Sequence, residues 1–159
     1  MVELTKVIAP YGCIYASHIR NESYDSLRAV QEVLELGRRA GVAVCISHHK
    51  ILGRSNWGLQ KKTLKLIEEA VKEALSVTCD QYPSTCNMTT LGACMPPWHS
   101  DEGMAALAEK LKSPALRQKI RGEMESAKTP YHNYYLNAGG RGGVLVASAP
   151  NNPSAEGTP

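Results

Sequence analysis

The chain has 159 residues, 43% of them apolar, which suffices for a packed core and excludes a disordered tract. Lys plus Arg number 18 against 15 Asp plus Glu, a formal charge of +3, too weak a bias to point to nucleic acid or an anionic membrane as partner. No apolar run approaches the roughly 20 residues of a membrane span, and MVELTKVIAP lacks the basic start and apolar centre of a signal peptide.

In chain order, residues 2–8 read as the end of a helix stopped by Pro10 and Gly12, followed by a short strand, CIYAS, over 13–17. Leu27, Val30, Val33, Leu34 and Gly37 carry helical spacing through 24–39. Gly41 ends that helix after two Arg in its last turn. VAVCIS (42–47) has the continuous small and β-branched character of a strand buried on both faces. A second helix is expected over 59–75 with a stripe of Leu64, Ile67, Val71 and Ala74, then a third strand, SVTCD, over 76–80. Three strands alternating with helices predict an α/β fold with parallel strands and right-handed crossovers. The second half reads as a long loop over 82–100, helices over 103–112 and 114–126 divided at Pro114, an irregular stretch over 129–143, a further strand VLVASA over 144–149, and a loose tail.

Five Cys with no CxxC pair disfavour a zinc ribbon or a thioredoxin-type site. Cys13, Cys45 and Cys79 lie in apolar runs and are expected to pack as small buried hydrophobes, and the cytoplasm is the default compartment.

Ligands of parallel α/β folds bind at the carboxyl ends of strands. Here those ends carry Ser17-His18-Ile19-Arg20 with Glu22 nearby, Ser47-His48-His49-Lys50, and Asp80-Gln81-Tyr82. Neighbouring strands stand about 4.8 Å apart, so His18 and His48 can reach one ion, for which zinc is the natural choice. His49 alternates with His48 and should face the other way. The competing structural readings are ordinary ones. A strand-end His is often only a hydrogen-bonded residue, and Arg20 and Glu22 can pair with each other or cap a helix. Lys50 can be an ordinary loop lysine, Trp57 a packing residue, and His99 and His132 solvated side chains.

The strings YASHIRNE (15–22), GRRAGVAVCISHHKILGRSNWG (37–58), DQYPST (80–85), MPPW (95–98) and VLVASAPNN (144–152) resemble the N-acyl-D-amino-acid deacylase (D-aminoacylase) branch of the amidohydrolase superfamily. The resemblance implies a partial (β/α)8 TIM-type barrel covering about strands five to seven, plus a loop and helix insertion. It divides the chain into a barrel part over 1–82, an insertion or lid near the barrel mouth over 83–150, and a loose tail over 151–159. It implies a zinc-dependent hydrolase cleaving the amide bond of N-acyl-D-amino acids, with one or two zinc ions. It makes His18 and His48 metal ligands and Lys50 and Tyr82 binders of the substrate carboxylate. Arg20 and Asp80 complete the set of candidates.

The family pattern also calls for an His-x-His pair on the first strand, a further ligand and an Asp base on the eighth strand, none of which occurs here. The chain is therefore expected to be an internal fragment with an incomplete zinc site, inactive alone, and prone to self-association through unpaired barrel edges. Its partner would be a small N-acyl amino acid rather than nucleic acid or membrane. The alternatives are another amidohydrolase acting on cyclic amides or dipeptides, and a non-catalytic carboxylate-binding module that uses Lys50 and Tyr82.

Overall fold

Two runs of short apolar residues and one central strand organise the N-terminal half. The computed structural model describes residues 1–128 and 130–159. It divides into two compact units, Met1–Thr85 and Cys86–Pro159.

The first unit is α/β. Its helices are α1 (Val2–Lys6), α2 (Ser26–Ala40) and α3 (Leu59–Lys72), and its strands are β1 (Ile14–Ser17), β2 (Ala43–Ile46) and β3 (Val77–Cys79). The sheet order is β1-β2-β3 and both pairings are parallel. Ser17 pairs with Ile46 and Ile46 with Cys79, so the three carboxyl ends lie level. α2 ends at Gly41, whose φ of 67° is free of the strain a Cβ would bring, and whose N–H donates to the Gly37 carbonyl at 2.9 Å. The core joins Val30, Val33 and Leu34 of α2 to Val44 and Ile46 of β2 and Ile67 and Ala70 of α3.

Several details differ from the sequence reading. β2 is not buried on both faces: Val44 and Ile46 are buried while Ala43 and Cys45 are half-exposed, because helices cover one side. The buried face of α3 is Thr63, Ile67 and Ala70. Leu64 and Val71 are exposed, and Ala74 lies beyond the helix with φ 66°. Small residues are buried there because α3 packs closely on α2. Cys13 and Cys79 are exposed and Cys45 is half-exposed, since each sits at a strand end or on the open face; Cys94 is the buried thiol. Trp57 is exposed, not packed, in a short turn before α3.

The second unit holds α4 (Met104–Lys110), α5 (Pro114–Glu125) and α6 (Tyr134–Asn137), with 3-10 turns before α4 and after α6. Ser113 caps α5, accepting from the Leu116 N–H, and Pro114 occupies the first turn. Cys94, Leu107, Ile120 and Tyr131 are buried. Trp98 meets the Tyr131 ring edge-on at 5.4 Å. His99 is largely buried rather than solvated, because Glu123 takes its Nε2 at 2.7 Å. Within the stretch read as irregular, α6 forms because Asn133 accepts from the Leu136 N–H; Thr129 lies outside the described residues. Residues 144–149 form no strand. The Val146 N–H donates to the Thr158 carbonyl, and the Val146 carbonyl accepts from Gly157. The tail is thus tied back, with Glu156 accepting from the Ala149 N–H at 2.7 Å. Among the described residues no helix is long and apolar enough to cross a membrane.

Candidate metal centre

The loop after β1 is folded by Asn21, whose side-chain oxygen accepts from the N–H and hydroxyl of Ser23 and from the Asp25 N–H. This turn leads into α2 and drives Glu22 inward, where it is 1% exposed; the Glu22 carbonyl accepts from the Leu52 N–H. At the end of β2, the Ser47 N–H donates to Ser17 and the His49 N–H donates to the Asp80 carbonyl. His48, between them, has φ 41°, a left-handed conformation that costs a non-glycine residue about 1–3 kcal/mol unless its surroundings impose it. The Asp80 carboxylate does so by accepting the His48 N–H.

This backbone sets the side chains. His18 Nδ1 and His48 Nε2 stand 3.4 Å apart, with ring centroids at 4.9 Å. Glu22 Oε1 lies 3.0 Å from His48 Nδ1, 3.5 Å from His18 Nδ1 and 2.6 Å from Lys50 Nζ. Lys50 also donates to the His48 carbonyl at 3.1 Å, and it lies 5.5 Å from the centroid of the Tyr82 ring. His18, Glu22 and His48 each offer a ligand atom within 4.8 Å of one another. Burial lowers the pKa of His18 below the ordinary imidazole range; Glu22 opposes this, and His48 and Lys50 add to it. A neutral imidazole is the form that ligates a metal.

The structure thus brings together His18, His48, Lys50 and, beside Lys50, Tyr82. Arg20 does not join them and does not pair with Glu22. It is exposed and grips Glu32 of α2 through two hydrogen bonds of 2.7 and 2.9 Å. Asp80 acts on the His48 backbone, and its other oxygen faces the Cys45 thiol at 3.9 Å. His49 turns to the opposite side, buried between Gln60 (3.2 Å) and Thr63 (3.1 Å). Glu22 is the residue that sequence reasoning undervalued. Its position four residues after His18 was the only local signal, and its burial depends on Leu52 and Lys50, remote in sequence.

No protein-family model matches the chain. Among curated proteins it is similar to D-aminoacylase of Alcaligenes xylosoxydans xylosoxydans, with 37% identity over 91 residues, 57% of this chain and 19% of that protein. It is also similar to the N-acyl-D-glutamate deacylase of the same organism, with 42% identity over 88 residues, 55% of this chain and 18% of that protein. The chain spans less than a fifth of the length of these relatives. Among solved structures, N-acyl-D-glutamate deacylase from Bordetella bronchiseptica, complexed with zinc and a phosphonate mimic of the tetrahedral intermediate, matches with 40% identity and a TM-score of 0.51 over 52% of this chain and 18% of that one. A D-aminoacylase described as defining a novel subset of amidohydrolases matches with 38% identity and a TM-score of 0.50 over 52% of this chain and 17% of that one. About half of this chain is therefore homologous to a segment of the D-aminoacylases and N-acyl-D-glutamate deacylases.

Proposed function

We propose that the first unit forms part of a (β/α)8 barrel, with β1–β3 as its fifth to seventh strands, and that it supplies His18 and His48 to zinc in an enzyme hydrolysing the amide bond of N-acyl-D-amino acids. The spacing of the two ring nitrogens carries this reading. Zinc–nitrogen bonds of about 2.0–2.1 Å at a tetrahedral angle set two ligating nitrogens about 3.3–3.4 Å apart. His18 Nδ1 and His48 Nε2 are 3.4 Å apart, and both come from strand ends whose relatives include a zinc-bound deacylase.

Bound zinc polarises an amide carbonyl and lowers the pKa of a coordinated water toward about 7. The chain's own residues do the rest of what is present. His18, whose pKa partial desolvation lowers, and His48 would hold the ion. Lys50 and Tyr82 sit beside the site and provide an amine and a phenol for the substrate carboxylate. The reading as a metal-free carboxylate binder uses Lys50 and Tyr82 but leaves the 3.4 Å spacing of the His18 and His48 ring nitrogens without a purpose. Two imidazoles fill half of a four-coordinate shell, so the chain by itself is expected to bind zinc weakly and to release no amine.

The test is a chimera in which the matched segment of the Bordetella deacylase is replaced by that of this chain. Zinc-dependent release of amine from N-acyl-D-amino acids, but not from their L-enantiomers, is expected. Its loss on His18→Ala or His48→Ala is expected as well. A folded chimera that binds zinc through other residues and is indifferent to these two substitutions would overturn the assignment.

A further inference from the structure

We propose that Glu22 is a third ligand to the ion, and that the Lys50 ammonium keeps the cation's place on its carboxylate until the ion arrives. The proposal rests on the zinc reading above and extends it by one residue. A single oxygen, Glu22 Oε1, is met by three nitrogens: Lys50 Nζ at 2.6 Å, His48 Nδ1 at 3.0 Å and His18 Nδ1 at 3.5 Å. Glu22 is also the deepest of the four, 1% exposed beneath two partly exposed rings. Two imidazoles and one carboxylate, with a position left open, form a donor set that suits zinc.

The spacing agrees. Zinc bonds of about 2.0–2.2 Å at a tetrahedral angle set ligand atoms about 3.3–3.6 Å apart. Glu22 Oε1 and His48 Nε2 stand 3.5 and 3.4 Å from His18 Nδ1. His48 meets Glu22 through its other nitrogen, yet one ligand atom from each of the three residues already lies within 4.8 Å of the other two. Closing that gap takes less than about 1.5 Å of movement. The His48 ring is free to turn: its side chain is 35% exposed, and Asp80 holds its backbone rather than its ring.

Lys50 supplies the competing reading, in which Glu22 is only its counter-ion. That reading explains the 2.6 Å contact but not why the same oxygen also faces both histidines. A buried carboxylate needs a compensating cation, and Lys50 provides one while the ion is away. Its Nζ stands within 3.0 Å of Glu22 Oε1 and of His48 Nδ1. Exchange of one cation for another keeps Glu22 compensated, and the flexible lysine stem lets the ammonium leave. The Tyr82 ring, with its centroid 5.5 Å from Nζ, lies beside it. The ion thus releases from Glu22 the amine assigned above to the substrate carboxylate, and metal binding precedes substrate binding.

The test places the ion directly. In crystals of the full chain grown with millimolar zinc, anomalous scattering at the zinc edge should locate it between His18 and His48. A Glu22 oxygen is expected about 2.0–2.2 Å from it, with Lys50 withdrawn from Glu22. In solution, zinc titration should shift the ring signals of His18 and His48 together with the Glu22 carboxylate ¹³C signal. Glu22→Gln should weaken binding by more than about 10-fold, since loss of an outer partner alone costs that much. An ion on both histidines with Lys50 still seated on Glu22, or a Glu22→Gln chain that binds zinc as tightly as the wild type, overturns the role of Glu22 and leaves the zinc reading standing. The wild-type map decides this even if the variant does not fold. Zinc that reaches neither histidine overturns both.

Discussion

Gly37 stands where α2 packs on β2, the strand that leads to His48, and a methyl group added there should show how tightly fold and site are joined. In an exposed helix Gly→Ala gains about 1 kcal/mol from propensity. Here a Cβ would meet Val44 Cγ1 at 2.7 Å, and Leu75 Cδ1 and the Val42 carbonyl at 3.3 Å each. Val44 is 1% exposed and β-branched, so its methyl has no open rotamer to enter, and the Val42 oxygen is backbone. Overpacking of this kind costs about 1–3 kcal/mol. Gly37→Ala is therefore expected to destabilise the first unit by up to about 2 kcal/mol.

The sign should reverse once the obstacle is gone. Val44→Ala alone is expected to cost about 2–3 kcal/mol in lost burial. In that background the same Gly37→Ala should become neutral or stabilising by up to about 1 kcal/mol. Hydrogen exchange of the α2 amides of Val30, Val33 and Leu34 reads this unit specifically, with urea unfolding by circular dichroism as a second measure. Gly37→Ala that stabilises the wild-type background, or a coupling with Val44 below about 0.5 kcal/mol, would refute the close-approach argument.

Other consequences are simpler. Ala74 holds φ 66° just after α3, so Ala74→Gly should raise stability by about 0.5–1 kcal/mol, read as a higher urea midpoint with an unchanged slope. His49→Ala leaves Gln60 and Thr63 short of a partner in a buried place and should cost about 1–3 kcal/mol, while zinc titration shifts of His18 and His48 persist. Glu123 has its pKa lowered chiefly by its hydrogen bond to His99, against a smaller opposing effect of burial. The contact therefore contributes above the ordinary glutamate range and is lost as pH falls through the depressed value. Trp98 donates to the same carboxylate, so its emission in a Trp57→Phe chain should change in acid, and Glu123→Gln should remove that transition. Burial raises the pKa of Cys94, so iodoacetamide should label exposed Cys13 first and Cys94 only on unfolding.

The parts of the fold legible in the sequence were those written in repeating units. Strand, helix and strand of similar length recur, so the ends bearing His18, His48 and Asp80 could be counted into line, and the register agrees. Faces were harder. The stripe Leu64, Ile67, Val71 and Ala74 follows hydrophobicity, but the buried face of α3 is Thr63, Ile67 and Ala70: Ile67 fits the stripe, while Leu64 and Val71 are exposed and two small residues take their place. The tail read as loose because its anchors engage backbone groups: the bonds between Val146 and residues 157–158, and the Ala149 N–H that Glu156 accepts, leave no trace in side-chain pattern. Glu22 failed for a related reason. Its role comes from the Asn21 turn and from Lys50, and a polar string such as Asn21-Glu22-Ser23 reads as solvated loop although all three are buried.

The histidine pair is placed by the sheet from both sides. β2 is the central strand of the three, bonded to β1 at Ser17 and to β3 at Asp80 immediately around His48. The same residue whose carbonyl receives the His49 N–H offers its carboxylate to the His48 N–H, so two consecutive amides are held by Asp80. That clamp makes the left-handed turn at His48 tolerable, and the turn separates the two rings, sending His48 toward His18 and His49 into the contact with α3. Glycine at position 48 would relax the backbone but remove the imidazole proposed to hold the ion; any other side chain would keep the strain without that ring. The strain at this one residue is therefore best understood as the structural cost of aiming an imidazole from a parallel strand end at its neighbour across the sheet.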